Sequence, residues 1–261
     1  MFTHVTASRL LGWHLPVLPE QVPIFAAVRG ALAPRRPGII CSRLTHDSPS
    51  VEVALGLRVD SPVEVLLRSA RDLGELDLTI MADSALRAGH IQASALDDLV
   101  GSSRPGTRVL RRALMHADGR AESPGETLLR RFHDVLEIPT TPQVSLHDDD
   151  GRFLGRADLL VTGSHHVHEY DGAVHRGTRA HTADLRRDRG WFAAGFIRRG
   201  FTMGDLITYP AVTAQELDRA LGRRHDARRV HRWTRLLEES LFSPICRERV
   251  MNRWFRMPGP H

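Results

Sequence analysis

Three acidic side chains near the middle of the chain have types and a spacing that suit metal chemistry. Asp158 lies within the largely apolar run 155–161, and Glu169 and Asp171 follow two residues apart. Because side chains alternate faces along a strand, Glu169 and Asp171 share a face, and a turn at 162–164 would fold Asp158 back beside them. Clustered carboxylates ionise at a cost unless a cation or a proton lies between them. The pattern therefore predicts a divalent-metal site formed by Asp158, Glu169 and Asp171.

The predicted ligands favour Mg²⁺ or Mn²⁺. Mg²⁺ prefers oxygen ligands and is usually held by one or two carboxylates together with waters and phosphate, which Asp158 and Glu169 would supply. An ion held in this way polarises a phosphoryl oxygen. We therefore expect metal-dependent hydrolysis of a phosphodiester.

Each of these residues also fits a structural explanation, and the sequence leaves both open. Asp158 and Glu169 would fit an exposed strand face, and Asp171 before Gly172 would fit a turn. A neighbouring group, His165, His166 and His168, suggests a metal cluster, but a polar strand face explains it better because neither cysteine nor an HExxH arrangement accompanies it.

The elements around the acids predict an α/β fold. Helical spacing extends over 126–136, and an Asp-Gly pair at 150–151 marks a hairpin turn between the strand 143–147 and the Asp158 strand. The Glu169 strand, a helix over 179–194 and a strand over 196–199 complete a small mixed sheet flanked by helices. Glu126 opens the first helix, where an acid would also complement the helix dipole.

The rest of the chain predicts two further regions. Residues 1–118 read as a mixed α/β and helical region, with strands at 22–28, 38–41 and 51–59 and helices at 5–12, 61–70, 75–88, 93–100 and 106–116. A polar segment rich in Gly and Pro, residues 118–125, marks the end of this region. The sheet region covers 119–210, and 211–261 is an arginine-rich helical tail.

Composition narrows the chemistry and the partners. Lys and Arg together number 36, all of them arginine, against 31 acids, which gives a net charge of +5. Without lysine, no lysine amine is present to act as a general base or Schiff-base former, and arginine keeps its proton near neutrality. The positive charge favours an anionic partner such as DNA, although the tail arginines would equally fit a solvated face. Two distant cysteines and the lack of a long apolar run predict a cytoplasmic protein without a membrane segment, whose oligomeric state the sequence leaves open.

Several short motifs together resemble a known family. They are Glu122-Ser123-Pro124-Gly125-Glu126, Gly155-Arg156-Ala157-Asp158, Glu169-Tyr170-Asp171-Gly172, Arg187-Asp188 and Gly195-Phe196-Ile197-Arg198-Arg199. Residues 122–208 resemble an actinobacterial family of unknown function related to the very short patch repair endonuclease, within the restriction-endonuclease-like PD-(D/E)xK superfamily. The first half, including 10–16 and 61–89, resembles antitoxin-like regulators to which this domain is often fused.

The resemblance implies roles for individual residues. Asp158 matches the acid of the first motif strand, Glu169 the acid of the next, and Glu126 a helix acid that orients a metal-bound water. Asp171 stands where the superfamily usually has lysine, and His175 falls near a histidine suited to general acid or base catalysis. The resemblance thus implies a Mg²⁺-dependent deoxyribonuclease. The alternative, motivated by the missing lysine and the antitoxin-like half, is a catalytically silent nuclease fold that binds DNA or a toxin partner.

Overall fold

The computed structural model describes residues 1–29, 36–44, 49–92, 94, 103–172 and 187–255. The chain divides into two compact units: unit 1 comprises Met1–Gly119 and Arg235–His261, and unit 2 comprises Arg120–Thr234. The first division lies one residue beyond the boundary predicted from the sequence. The predicted tail is shared between the units, because Trp233 packs on Phe132 in unit 2 whereas Trp254 joins the apolar core of unit 1.

Unit 1 combines short strands with helices around one apolar core. Its elements are α1 (His4–Leu10), β1 (Ile24–Val28), β2 (Ile39–Arg43), β3 (Ser50–Val53), β4 (Leu57–Asp60), α2 (Pro62–Ser69), α3 (Glu75–Arg87), α4 (Thr107–Met115) and the C-terminal helix (Pro244–Phe255). Strands β1 and β2 are parallel, and β3 and β4 are antiparallel. Leu66, Met81, Leu110 and Trp254 are among the buried core residues. The last helix therefore belongs to unit 1 through its apolar side chains.

Unit 2 is built on a four-stranded mixed sheet. Its elements are α5 (Pro124–Val135), β5 (Thr140–His147), β6 (Phe153–Val161), β7 (His166–Tyr170), α6 (described over 187–193), β8 (Ile197–Phe201), a π-helical turn (Gly204–Thr208), α7 (Pro210–Ala220) and α8 (Ala227–Glu238), which ends in unit 1. The strand order is β5-β6-β7-β8, with antiparallel pairs except for β8, which runs parallel to β7. The sequence predicts the same succession of helix, three strands, helix and strand.

Local signals explain where the elements of unit 2 begin and turn. Ser123 caps α5 by accepting the Glu126 N–H at 3.2 Å, and Pro124 occupies the first helical position, where its missing N–H costs nothing. Between β5 and β6, the Asp148 carboxylate accepts the N–H of Arg152 at 2.8 Å, and Gly151 takes a φ of +79°. This turn determines how β5 and β6, the two strands that it connects, pair with each other.

Two sequence predictions in unit 1 need comment. The strand predicted over 51–59 is a hairpin, because residues 54–56 form a turn in which Leu55 and Gly56 have φ values of +66° and +69°. Leucine is not a turn residue, so Gly56 is the only turn signal in this segment of the sequence. The helix predicted over 93–100 lies outside the described residues apart from residue 94.

No helix in the described ranges is both long enough and apolar enough to cross a membrane.

Candidate functional site

Strands β6 and β7 bring Asp158 and Glu169 onto one face of the sheet. The register pairs Leu160 with Val167 and Leu159 with His168, so the next pair along both strands is Asp158 with Glu169. Directly opposed residues of neighbouring strands project to the same face. The Asp158 charge contributes to a raised pKa of Glu169, as expected for neighbouring carboxylates. These two predicted ligands therefore lie side by side.

Asp158 is a half-buried carboxylate without an ion-pair partner among the described residues. The main-chain N–H of Tyr170 donates to its Oδ2 at 2.9 Å, and in the described part of the chain it forms no ion pair. The pKa of Asp158 is raised to about 6, chiefly by burial and to a smaller extent by the nearby Glu126 carboxylate, while the Tyr170 hydrogen bond and the positive charge of Arg187 oppose the rise. The group is thus poised to take up a proton or a cation near neutral pH.

Glu169 is held by two arginines. Its Oε2 accepts hydrogen bonds from Arg187 Nη2 at 2.9 Å and from Arg198 Nε at 2.8 Å, and the residue is only 4% exposed. Burial raises the pKa of Glu169, while the hydrogen bond from Arg198 and both positive charges oppose that rise. Charge-assisted pairing of this kind fixes the position of the carboxylate.

Asp171 meets the same guanidinium from the other side. Arg198 Nη2 donates to Asp171 Oδ1 at 2.9 Å, and Arg198 Nε lies 3.4 Å from Asp188. The Asp171 carboxylate occupies space that only glycine leaves on β8: a Cβ added to Gly200 would lie 1.8 Å from its Oδ2. Arg198 therefore joins Glu169 to Asp171 and supplies a cation at the end of β7, where the sequence predicts a metal.

Glu126 closes the first turn of α5. Its carboxylate accepts the Glu122 N–H at 2.7 Å and the Gln143 side-chain N–H at 2.9 Å, and Ser123 Oγ donates to it at 2.9 Å. Ser123 Oγ thus accepts the Glu126 N–H and donates to the Glu126 carboxylate, which ties both residues to the start of α5. Of the two roles that the sequence leaves open for Glu126, this geometry supports the first-turn role, and the residue still contributes charge to Asp158.

Two glycines of the motifs make room for the side chains of the site. A Cβ at Gly125 would lie 2.1 Å from the Tyr170 ring, so the Tyr170 ring packs directly on the start of α5. A Cβ at Gly155 would lie 3.0 Å from Arg187 Cδ and 3.2 Å from the Trp191 ring, and Arg187 stacks over Trp191 at 4.8 Å. The short motifs therefore fit one another around Asp158 and Glu169.

The histidines of β7 form a different kind of contact. His168 Nδ1 lies 2.7 Å from Nε2 of His133 on α5, and His133 Nδ1 lies 2.8 Å from the Leu129 carbonyl. Because a carbonyl only accepts, His133 carries its proton on Nδ1 and donates it to Leu129, while its Nε2 accepts a hydrogen bond from the Nδ1–H of His168. Burial lowers the pKa of His133 to about 4 and that of His168 to about 2. This neutral buried pair ties α5 to β7.

The donor set suits a metal with few protein ligands. In the described ranges, no three His, Cys, Asp or Glu side chains are grouped as ligands of one ion. Asp158 and the second oxygen of Glu169 offer two carboxylate ligands, which matches the sparse protein coordination usual for Mg²⁺. The unpaired Asp158 carboxylate, with its raised pKa, is the feature that fits a cation. His175 lies outside the described residues.

Sequence reasoning missed the two arginines that contact the acids. In the sequence, Arg187 and Arg198 stand out only as parts of short motifs. Both contact Glu169 on β7. Arg198 does so across the parallel pairing of β7 with β8, which no local pattern encodes. The available signal was indirect: buried acids in a chain without lysine need a cation, and arginine is the residue that can supply it.

No family model, curated protein or solved structure matches this chain significantly.

Proposed function

We propose that unit 2 is a divalent-metal-dependent, nuclease-like domain that hydrolyses DNA phosphodiesters, with Asp158 and Glu169 as the metal ligands. One observation carries the proposal: Asp158, a half-buried strand carboxylate with a pKa of about 6 and no ion pair within the described ranges, stands opposite the buried carboxylate of Glu169. Leaving such a group charged and unpaired is costly, so a bound cation would remove an existing penalty.

The neighbouring residues support that role. The Tyr170 N–H fixes one oxygen of Asp158, and Arg187 and Arg198 fix one oxygen of Glu169. A bound Mg²⁺ would supply Lewis-acid polarisation of a phosphoryl oxygen. The two guanidinium groups lie where they would also bind the phosphate oxygens, for which their planar forks are suited.

Asp171 and Glu126 are assigned positioning roles rather than direct ones. Asp171 holds Arg198 against Glu169, and Glu126 holds the start of α5, on which the Tyr170 ring packs. The resemblance to the restriction-endonuclease-like superfamily supports the same proposal, since it rests on these motifs and on the order of helix, three strands, helix and strand.

Calorimetric titration with Mn²⁺ tests the metal site directly. We expect the wild type to bind, Asp158→Asn to lose binding, and Glu216→Gln, which removes an exposed acid paired with Arg199, to bind as the wild type does. Nicking of plasmid and of mismatched duplex in Mg²⁺ should follow the same order. Equal Mn²⁺ binding by the wild type and Asp158→Asn would overturn the assignment of the ligands.

A second candidate function is a catalytically silent nuclease fold that acts as an antitoxin-like regulator, binding DNA or a toxin partner. It is favoured by Arg198, which already neutralises Glu169 and Asp171 without a metal. This alternative predicts DNA binding in chelator that weakens steeply with salt, with no cleavage and no effect of Asp158→Asn. Metal-dependent nicking lost in Asp158→Asn would exclude it.

A further inference from the structure

Unit 1 contains a cavity of about 190 Å³ that joins aromatic and charged side chains. It is lined from the start of α1, from β1 and β2, from the residues after α2 and from the C-terminal helix, α9 (Pro244–Phe255). None of the features described for unit 2 takes part in it. Its lining combines aromatic rings with arginine side chains, a composition that suits an anion carrying a planar ring.

The inner wall of the cavity is aromatic and buried. His4 stacks on Phe25 with ring centroids 4.1 Å apart, and Trp254 meets Phe25 edge-on at 5.3 Å. All three residues are at most 5% exposed. Flat apolar walls of this kind favour a planar ring over a flexible chain.

His4 adds an unsatisfied polar atom to this wall. Its Nδ1 accepts the Val5 N–H at 2.8 Å, so the neutral ring carries its proton on Nε2. Nε2 lies 3.2 Å from Asp72 Oδ2 but makes no hydrogen bond of acceptable geometry, although the residue is only 3% exposed. His4 also has a φ of +54°, a conformation that a residue without glycine's freedom adopts at a cost. The Asp72 oxygen next to this atom also accepts the Trp254 indole N–H at 2.9 Å, so Asp72 holds the two rings of the wall in place.

The mouth of the cavity carries excess positive charge. Arg253 Nε pairs with Asp72 at 2.9 Å, and the buried Arg68 pairs with Asp60 at 2.8 Å. Arg71 has no side-chain hydrogen bond or ion pair within the described ranges. Partial desolvation lowers the pKa of the exposed Arg71, and the positive charges of Arg68 and Arg104 lower it further. An anion at this mouth would relieve that repulsion.

We propose that this cavity binds a small phosphate-bearing ligand with a planar ring, of the nucleoside monophosphate class. Arg71 and Arg253 would hold the phosphate, which matches the planar fork of arginine, and the ring would lie against Trp254. The ligand is either a free nucleotide or the 5′-phosphorylated end of a nucleic acid strand, since both present this chemistry. The inference does not depend on the function proposed for unit 2.

Calorimetry with the full-length protein in low salt tests the site with four probes: inorganic phosphate, adenosine 5′-monophosphate, adenosine and a short 5′-phosphorylated oligonucleotide. Arg71→Gln removes the unpaired charge, and Arg108→Gln is the matched control, because Arg108 is an exposed helix residue that does not line the cavity. We expect the monophosphate to bind the wild type and the control alike, and to bind Arg71→Gln about tenfold more weakly or worse. Arg71 is exposed, so the variant should fold, and circular dichroism checks that it does.

The remaining outcomes are decisive in either direction. Binding of the phosphorylated oligonucleotide but not of the free nucleotide would identify a strand end as the ligand and support the site. Adenosine binding as tightly as its monophosphate would overturn the role of the arginines. Equal affinity in the wild type and Arg71→Gln, or no binding of any probe at millimolar concentration, would overturn the proposal.

Discussion

Replacing Asp158 with asparagine should stabilise the metal-free protein, and the gain should depend on pH. The folded-state pKa of Asp158 is raised from 3.8 to about 6, and each pKa unit corresponds to about 1.36 kcal/mol, so ionisation costs the folded state about 3 kcal/mol. Asparagine has a similar shape and keeps an oxygen to accept the Tyr170 N–H, but it carries no charge. We therefore expect Asp158→Asn to raise the free energy of unfolding by about 2 to 3 kcal/mol at pH 8 in chelator.

The sign of the pH dependence follows from the raised pKa. Below about pH 4 the carboxyl group is protonated in both states, so the variant and the wild type should be equally stable. Between about pH 4 and pH 6 the wild type loses stability, because the unfolded chain ionises Asp158 while the folded chain keeps it protonated, so the difference should be nearly complete by pH 6 and change little between pH 6 and pH 8. Urea unfolding at pH 4, 6 and 8 measures it.

Asp150→Asn is the matched control for this experiment, since Asp150 is an exposed acid in the turn between β5 and β6. It should change stability by less than about 0.5 kcal/mol at every pH. A gain for Asp158→Asn that is constant across pH, or a loss of stability at pH 8, would refute the reasoning that Asp158 is buried without a neutralising partner. Mn²⁺ should raise the melting temperature of the wild type only, if the proposed ligands are correct.

Two further predictions concern the contacts around the site. Gly200→Ala should destabilise unit 2 by about 1 kcal/mol in urea unfolding, because the added Cβ would displace the Asp171 carboxylate from Arg198. The control Gly190→Ala should be neutral or stabilising, because its Cβ lies in a helix with the nearest atom 3.5 Å away. Equal losses of stability in the two variants would contradict the close packing at β8. His133 and His168 should show no titration in NMR spectra between pH 8 and pH 5, because burial lowers both pKa values to about 4 or below. The free energy of unfolding should fall as the pH drops below 6.5, because the two histidines take up protons in the unfolded chain before they do so in the folded protein. A titration of either ring near pH 6.5 would contradict the buried pair.

The sequence predicted what local signals encode. Ser123 and Pro124 mark the start of α5, and the Asp-Gly pair at 150–151 marks the turn that pairs β5 with β6. The facing of Asp158 and Glu169 also followed from local rules, since a tight turn and the two-residue period of a strand determine it. The hairpin at β3 and β4 escaped prediction because its turn is centred on Leu55, a residue type that gives no turn signal.

Contacts between distant segments could not be read in the same way. Arg198 reaches Glu169 because β8 lies parallel to β7 with Glu169 opposite Gly200, a register that no adjacent residue encodes. The same holds for the His133 pairing with His168, which joins positions 35 apart along the chain. The cluster of acids in the sequence indicated that a cation lies nearby, but it did not indicate that arginine side chains supply positive charge to Glu169.

The absence of lysine decides which groups of unit 2 exchange a proton near neutral pH. Arg187 and Arg198 remain charged throughout, and the pairing of Arg198 with Glu169 raises the pKa of Arg198 further, so these side chains bind and orient but do not transfer protons. Asp158, with a pKa of about 6, does titrate in this range. Any proton transfer by the described residues of the proposed site therefore belongs to a carboxylate. In the metal-free protein, therefore, the arginines supply fixed positive charge next to Glu169, and Asp158 is the described acid of this site whose pKa lies near neutrality.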